Sequence, residues 1–532
     1  MSGHAAVGRR GLWAGLLVLL ASVLVVGVGA MVPAPAGPGA APAPTTEPLA
    51  SAVLACAGPS DVVDAQPAAE PEPEAEPGQE QPEPRTEGIT SSTEAVAIPD
   101  PALSGATGDG EALLRLDQES TAVRGETLSV ATLASTTVTA TGALAPGVAA
   151  EVTTTARDQR TSGLAGQPCV APARDWWFVA GSGQVGRRAT LVLMNPAPSP
   201  AVVDVTVWTE SGEVPGSGTN DLGIPAGGTR SVSLDAVAAG ASSVAVRVTA
   251  SLGRVGAAVG LREVDGADPI GLSWVPSSRP PARVAYVPGV PAAGERTLRL
   301  LNPGEDDAVV ALRALGEQGT FTPLGLDAVD VPAGQVVDVD LSPVEEETFA
   351  VEVAANVAVA SSVLVRQSPG DALPDFAVAG SAAPLDAVAA TPVTGADERT
   401  TQIVLSAVPE PTRSSTPDAS SPSASTQAVL RLVGLDGSLL GADVVTVARG
   451  TTVTAAVDLP DGVSDAWVVV VPTEPDLVLA ARQTTATVLV PDALEPDTER
   501  DAFWYDLVPL AALPTTVTVP PVLPDVTAGL PR

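Results

Sequence analysis

Three stretches of this chain repeat one another at intervals of roughly a hundred residues, which restricts the fold to a string of similar units. The first copy runs through 188–196, 202–208, 224–235, 244–248 and 256–262. The second runs through 296–303, 308–316, 331–341, 349–353 and 357–366. The third, more divergent, occupies 401–405, 428–437, 447–458, 466–471 and 477–482. Asn195-Pro196 in the first copy answers to Asn302-Pro303 in the second, 107 residues on. Arg262 and Arg366 are 104 apart, and Arg366 and Arg482 are 116 apart. The longer interval holds a Ser/Thr/Pro-rich run, 411–426, that reads as a flexible loop. A unit of about 105 residues with five to seven short strands has the size of an immunoglobulin-like sandwich.

Local chemistry agrees. Segment 203–207 alternates apolar with polar residues, as a half-buried strand does. Asn-Pro after the first strand of a copy is a turn signal. Aromatics make up only 3% of the chain, while Gly and Pro number 50 and 52. With Val and Thr also abundant, this composition favours strands and turns over helices. The predicted class is all-β: tandem immunoglobulin-like β-sandwiches after one N-terminal transmembrane helix.

The order expected along the chain is a cytoplasmic N-terminus (1–10), a transmembrane anchor or signal peptide (11–32) and an Ala/Pro linker (33–49). An N-terminal β region (50–174) follows, carrying an acidic Pro/Glu insertion (66–87) that reads as a self-repelling spacer. Sandwich repeats are then expected over 175–282, 283–392 and 393–515, with a C-terminal tail over 516–532.

Residues 11–32 are uncharged, with Arg9 and Arg10 before them and no acidic residue before Glu47. About twenty apolar residues span a bilayer as a helix, and flanking arginines hold the N-terminus inside. Small residues at Val28-Gly29-Ala30 also suit a cleaved signal peptide. Both alternatives export the rest of the chain. The expected location is the cell membrane, single-pass with the bulk outside, or secretion after cleavage.

Charge and residue types exclude several chemistries. The 27 basic residues are all arginine against 62 acidic ones, a net charge of −35. Such a surface repels nucleic acid. The single histidine, His4, precedes the apolar run. The exported part therefore lacks an imidazole base for a nucleophilic triad, and without lysine it has no Ser-Lys dyad. Residue types alone leave a paired-carboxylate glycosidase open, but Val-rich sandwiches offer no evident aromatic cleft for one. Gly181 to Gly186 mimics a phosphate loop but lacks its lysine and helix, and reads as a tight turn. Acidic groups at Glu305-Asp306-Asp307, Asp338/Asp340 and Glu345-Glu346-Glu347 lack a calcium-loop spacing and read as solvated loops. No catalytic residue, cofactor or metal ligand is expected.

Two features remain. Cys56 and Cys169 are the only cysteines. In an exported chain they are expected to pair, which pins the start of the β region to the strand before Trp176. Lipidation of Cys56 is the alternative, though it lies far from the apolar run. Trp176, Trp177 and Phe178 form the densest aromatic cluster, either a platform for sugar rings or a buried interdomain anchor.

The stretch 163–196, with Cys169, Trp176, Trp177, Phe178 and Asn195, resembles the hallmark of an uncharacterised actinobacterial family of secreted or single-pass membrane proteins. The resemblance covers most of 50–515 and is clearest over 163–262. It implies β-sandwich repeats and a cell-envelope setting, often near a glycosyltransferase gene, and brings no active residues with it. The function expected is a non-catalytic extracytoplasmic scaffold or adhesion-like protein of the envelope. The alternative is a carbohydrate or cell-wall glycan-binding module. The expected partner is an envelope protein or cell-wall glycan, with the membrane met through the N-terminal helix only and nucleic acid excluded.

Overall fold

Alternation of side chains sets each sheet. Along Ala201–Thr209, Ala201, Val203, Val205 and Val207 are buried, and Val202, Asp204 and Thr206 between them are half-exposed. The computed structural model describes residues 45–63, 88–100, 103, 111–158, 160–216, 219–409, 425–492 and 498–519. Among them, α-helix is confined to two single turns, Ser60–Val63 and Leu234–Val237. None of these helices is long and apolar enough to cross a membrane. The expected anchor or signal peptide (11–32) and the acidic insertion (66–87) lie outside the described residues, as does most of the 411–426 loop.

The chain divides into two units. One comprises the ends, 1–47 and 516–532. There the strand Thr45–Pro48, at the close of the expected linker, pairs with Thr516–Val519, at the start of the expected tail. The other unit, Pro48–Thr515, holds β-sheet layers that face each other in pairs.

The first sandwich opposes the order Ser51–Cys56, Thr136–Thr141, Leu113–Leu116, Glu119–Thr121 to the order Thr127–Ala131, Ile89–Ala97, Val148–Arg157, Ser162–Pro168. Leu54, Leu114, Leu116, Val138 and Val152 fill the space between. The second sandwich has the same plan. Asp175–Phe178, Val244–Leu252, Ala201–Thr209 and Gly212–Glu213 face Thr229–Ser233, Arg187–Met194, Gly256–Asp265 and Asp268–Val275. The fourth repeats it with Ala389–Thr394, Asp465–Pro472, Ser425–Gly434 and Leu439–Ala448 against Thr452–Val457, Thr400–Ala407, Val478–Pro491 and Glu499–Leu510. In the third, one 19-residue strand, Phe349–Gln367, serves both layers. Its first part pairs with Ala282–Val290 and Ala308–Gly316, its last part with Glu295–Leu301 and Asp375–Gly380. The crossing falls at Asn356, whose side-chain oxygen accepts from the Val309 and Val357 amides and so covers donors that the ladder abandons there.

The two-layer unit thus occurs four times, and the N-terminal β region, the first sandwich, is the copy the repeat did not reveal. The Asn-Pro motif acts as a turn staple. Asn195 Nδ2 donates to the carbonyls of Ser199 and Ile224, four and 29 residues on; Asn302 Nδ2 does the same to Asp306 and Val331. Both asparagines are buried, so each bond replaces lost water.

Within this unit the sandwiches close on each other. Their last strands, Ser162–Pro168, Asp268–Val275, Asp375–Gly380 and Glu499–Leu510, pack in a cycle, each against the next and the fourth against the first. Apolar side chains cement every junction. Ala55, Val62, Met194 and Trp274 join first to second, and Trp177, Val179, Leu301 and Ala360 join second to third. Ala481, Tyr505 and Leu507 enter the third core from the fourth sandwich, while Val96, Ile98, Val388 and Trp467 join fourth to first. Close approach excludes a side chain at Gly260, where a Cβ would lie 2.3 Å from a Val62 methyl.

Candidate functional site

The described aromatic residues singled out in the sequence are interior. Trp176 is buried in the second core with its Nε1 donating to the Val255 carbonyl at 2.9 Å, and Phe178 lies beside it. Trp177 is only 5% exposed. It stacks on Trp208 at 5.8 Å between centroids and lies beneath the Arg247 guanidinium, at the junction of the second and third sandwiches. None of these rings offers a free face for a sugar. Cys56 and Cys169 are joined by a disulfide spanning 113 residues, at the base of the first sandwich, where Ala55 and Val170 exchange backbone hydrogen bonds. Of the acidic groups, Asp338 binds Arg299 at 2.7 Å within the third sandwich and accepts the Ser243 hydroxyl of the second at 2.6 Å. No cluster of metal-ligating type occurs among the described residues.

Charged chemistry is concentrated where the sandwiches meet. At the hub, the Asp375 carboxylate is fully buried and accepts the amides of Leu164 and Tyr505, both at 3.0 Å, and of Phe376 at 2.9 Å. Leu164 belongs to the first sandwich and Tyr505 to the fourth. Gly271 of the second lies so close that a Cβ there would be 2.4 Å from Asp375 Oδ1. One side chain of the third sandwich therefore meets all three others. Burial pushes its carboxyl well above the usual carboxylate range, against the pull of the three amides.

The junction of the fourth with the first sandwich carries the densest network. Arg482 binds Glu151 of the first sandwich at 2.5 Å and Asp506 at 2.6 Å, and also donates to Thr391 Oγ1 and the Pro392 carbonyl. Burial pulls this guanidinium down, but Glu151 and Asp506 outweigh it and hold Arg482 above its usual range. Burial pushes the Glu151 carboxyl up and the second acid, Asp506, adds to it, against the pull of Arg482 and the Thr391 hydroxyl. Two further ties cross the same junction: Arg431 to Asp100 at 2.8 Å, and Arg157 to Asp397. Arg157 and Arg399 both lie over the Trp504 ring, at 4.8 and 5.8 Å.

Beside this network a cleft of about 510 Å³ opens between the two sandwiches. Hydroxyls of Thr90, Ser92, Thr155 and Thr394 line it, together with Glu94 and Asp397. Glu94 lies directly across the strand pair from Glu151. Burial, then Asp465 and Glu151, push its carboxyl up to about 7, although Arg482 opposes them. Such a cleft offers hydroxyls, one carboxyl half protonated near pH 7 and the guanidiniums of Arg157, Arg399 and Arg482 to a small, polar, many-hydroxylated ligand.

Sequence reading did not find Asp375, Glu94 or the cleft. The repeat arginines were visible, but their use was not. They do not share one register: Arg262 lies across from Arg188, Arg366 from Glu295 and Arg482 from Ile403. Each instead reaches a neighbouring sandwich, Arg262 the Arg160 carbonyl, Arg366 Glu263, and Arg482 Glu151.

A protein-family model described as a family of unknown function, DUF5719, matches residues 122–459. No curated protein matches the chain. Among solved structures, the crystal structure of Thermotoga maritima 1070 is 14% identical, with a TM-score of 0.17, covering 19% of this chain and 93% of that one. The BSP domain of a biofilm associated protein is 10% identical, with a TM-score of 0.14, covering 84% of this chain and 92% of that one.

Proposed function

The chain belongs to the family of unknown function DUF5719, and on that premise we propose that it is a non-catalytic, extracytoplasmic scaffold or adhesion-like protein of the cell envelope. The observation that carries this reading is the use made of its charged side chains. Arg299, Arg366, Arg431 and Arg482, with Asp100, Glu151, Glu263, Asp338 and Asp375, are spent on tying sandwiches together. Ties of that kind favour a rigid body and so support a structural role. The disulfide supports an oxidising compartment, and residues 11–32 would tether the body to the membrane, with the sandwiches, immunoglobulin-like in size, held outside. The net charge of −35 keeps such a body soluble.

A second reading, glycan binding, is favoured by the hydroxyl-lined cleft between the first and fourth sandwiches rather than by Trp176 and Trp177. Sedimentation of the full chain with purified wall glycan and, separately, with envelope membranes stripped of glycan tests both. The scaffold reading expects saturable retention on membranes that is unchanged by Glu94→Gln. The glycan reading expects retention on wall glycan that Glu94→Gln weakens. Retention on neither, or turnover of the glycan, overturns the proposal.

A further inference from the structure

The second sandwich carries an electrostatic anomaly. In a chain with more than twice as many acids as bases, Arg188 and Arg262 lie directly across from each other on one face of a strand pair. Like charges so placed oppose each other. A third arginine joins them, since Arg262 Nη2 donates to the Arg160 carbonyl at 3.1 Å. Burial pulls the Arg262 guanidinium below its usual range; Asp158 opposes that shift, and Arg188 and Arg160 add to it. Arg262 Nε is buried without a hydrogen-bond partner among the described residues. Folding thus brings cations together and leaves a charged donor unanswered.

Arg188 and Arg262 border a pocket of about 300 Å³. Its rim is residues 183–186 of the glycine turn, held fast from both ends. The Gly183 amide donates to the Ala241 carbonyl, and the Gly186 carbonyl accepts from the Val264 amide. Gly186 has φ +81°, and a Cβ there would lie 2.4 Å from the Val264 oxygen, so the turn tolerates no side chain at that point. Asp235 is the acid on the pocket wall, and its Oδ1 is engaged by the Ala189 amide and the Ser233 hydroxyl. Arg187, also on the wall, is bound to Glu263 at 2.6 Å.

We propose that this pocket binds an oxyanion of the phosphate class through Arg188 and Arg262. Guanidinium forks match the oxygens of phosphate in pairs, and a group of charge near −2 answers several guanidiniums better than a carboxylate does. The chain's overall negative charge does not prevent this. At physiological ionic strength charges beyond about 8 Å are largely screened, so the local cluster decides. The site is independent of the scaffold reading and of the cleft at Glu94.

Calorimetric titration of the full chain with inorganic phosphate at constant ionic strength, with chloride as the balancing anion, tests it. One saturable site is expected. Affinity should fall at least tenfold in Arg262→Gln and in Arg188→Gln, and stay unchanged in Arg230→Gln, whose side chain bonds the Gly223 carbonyl on the same sandwich. Dimethyl phosphate distinguishes a polymer-borne phosphodiester from free phosphate, and acetate reports on carboxylates. Tighter binding of acetate than of either phosphate overturns the assignment. So does absence of saturable heat in the wild type, or undiminished binding by both arginine variants with native near-ultraviolet circular dichroism. Should Arg262→Gln not fold, Arg188→Gln alone decides: a tenfold loss upholds the site and unchanged affinity refutes it.

Discussion

Replacing Asp375 with alanine should loosen all four sandwiches at once. The carboxylate satisfies the buried amides of Leu164 and Tyr505, which lie in two different sandwiches. A buried donor left without a partner costs about 1–3 kcal/mol. Two such donors therefore put the loss at about 2–6 kcal/mol, with the vacated volume adding to it. Asparagine retains an oxygen at the position of Oδ2, so Asp375→Asn should recover most of that loss. Urea unfolding at pH 7, followed by intrinsic tryptophan fluorescence, reads both variants. The reasoning fails if Asp375→Ala unfolds with the wild type, or if asparagine is as damaging as alanine. A pH series adds a sign. Because burial raises the folded-state pKa of Asp375, the native state holds its proton where the unfolded chain has lost it. Its stabilising contribution is full below the unfolded carboxyl range near pH 4 and declines as pH rises toward the raised value. Asp375→Asn should flatten that decline.

Glu94 has the same sign with a bounded window: its carboxyl is pushed up to about 7, so stability should fall between about pH 4.3 and pH 7, by up to about 3 kcal/mol relative to Glu94→Gln in parallel urea titrations. Arg482→Met should cost about 3–5 kcal/mol at pH 7, since it strands Glu151 and Asp506 in the interior, and the triple change with Glu151→Gln and Asp506→Asn should recover part of that; equal loss in both would deny that the charges are the cause. Cys56→Ser with Cys169→Ser should lower stability by up to about 4–5 kcal/mol through the chain freed by losing a 113-residue closure, and an unchanged urea midpoint would show that the disulfide is not needed to hold the first sandwich.

Local rules account for what the sequence showed well. Alternation in 203–207 and the Asn-Pro turns at Asn195 and Asn302 are short-range features, and the strands and staples formed where they indicated. The cysteine pair followed from there being two cysteines and from the expectation of export. The N-terminal region did not declare itself as a fourth copy because its second strand, Ile89–Ala97, is preceded by the acidic insertion and has no Asn-Pro turn. Trp177 was ambiguous for a physical reason: burial in a junction and display on a surface demand the same large ring, and only the position of Trp208 and Leu301 decides between them. Asp375, Glu94 and Arg482 were beyond reach. Asp375 meets Leu164 211 residues away and Arg482 meets Asp506 24 residues away, and nothing in local spacing marks a side chain that waits for another strand or sandwich. The 181–186 turn was correctly seen as tight, but the arginines beneath it come from two strands whose pairing the turn does not reveal.

The central claim is that the fourth sandwich returns to the first, and a cysteine trap tests it most directly. Glu126 and Asp436 are both exposed and lie across from each other in an antiparallel bridge between those two sandwiches. Directly opposed antiparallel residues have Cα atoms about 4.5–5.5 Å apart, within disulfide reach. Glu126→Cys with Asp436→Cys should therefore cross-link rapidly and almost completely under mild oxidation, giving a faster band on a non-reducing gel and a tryptic disulfide peptide by mass spectrometry. A chain whose sandwiches extend in a line would keep the two thiols apart and leave both free to alkylation, and that result would contradict the closed arrangement.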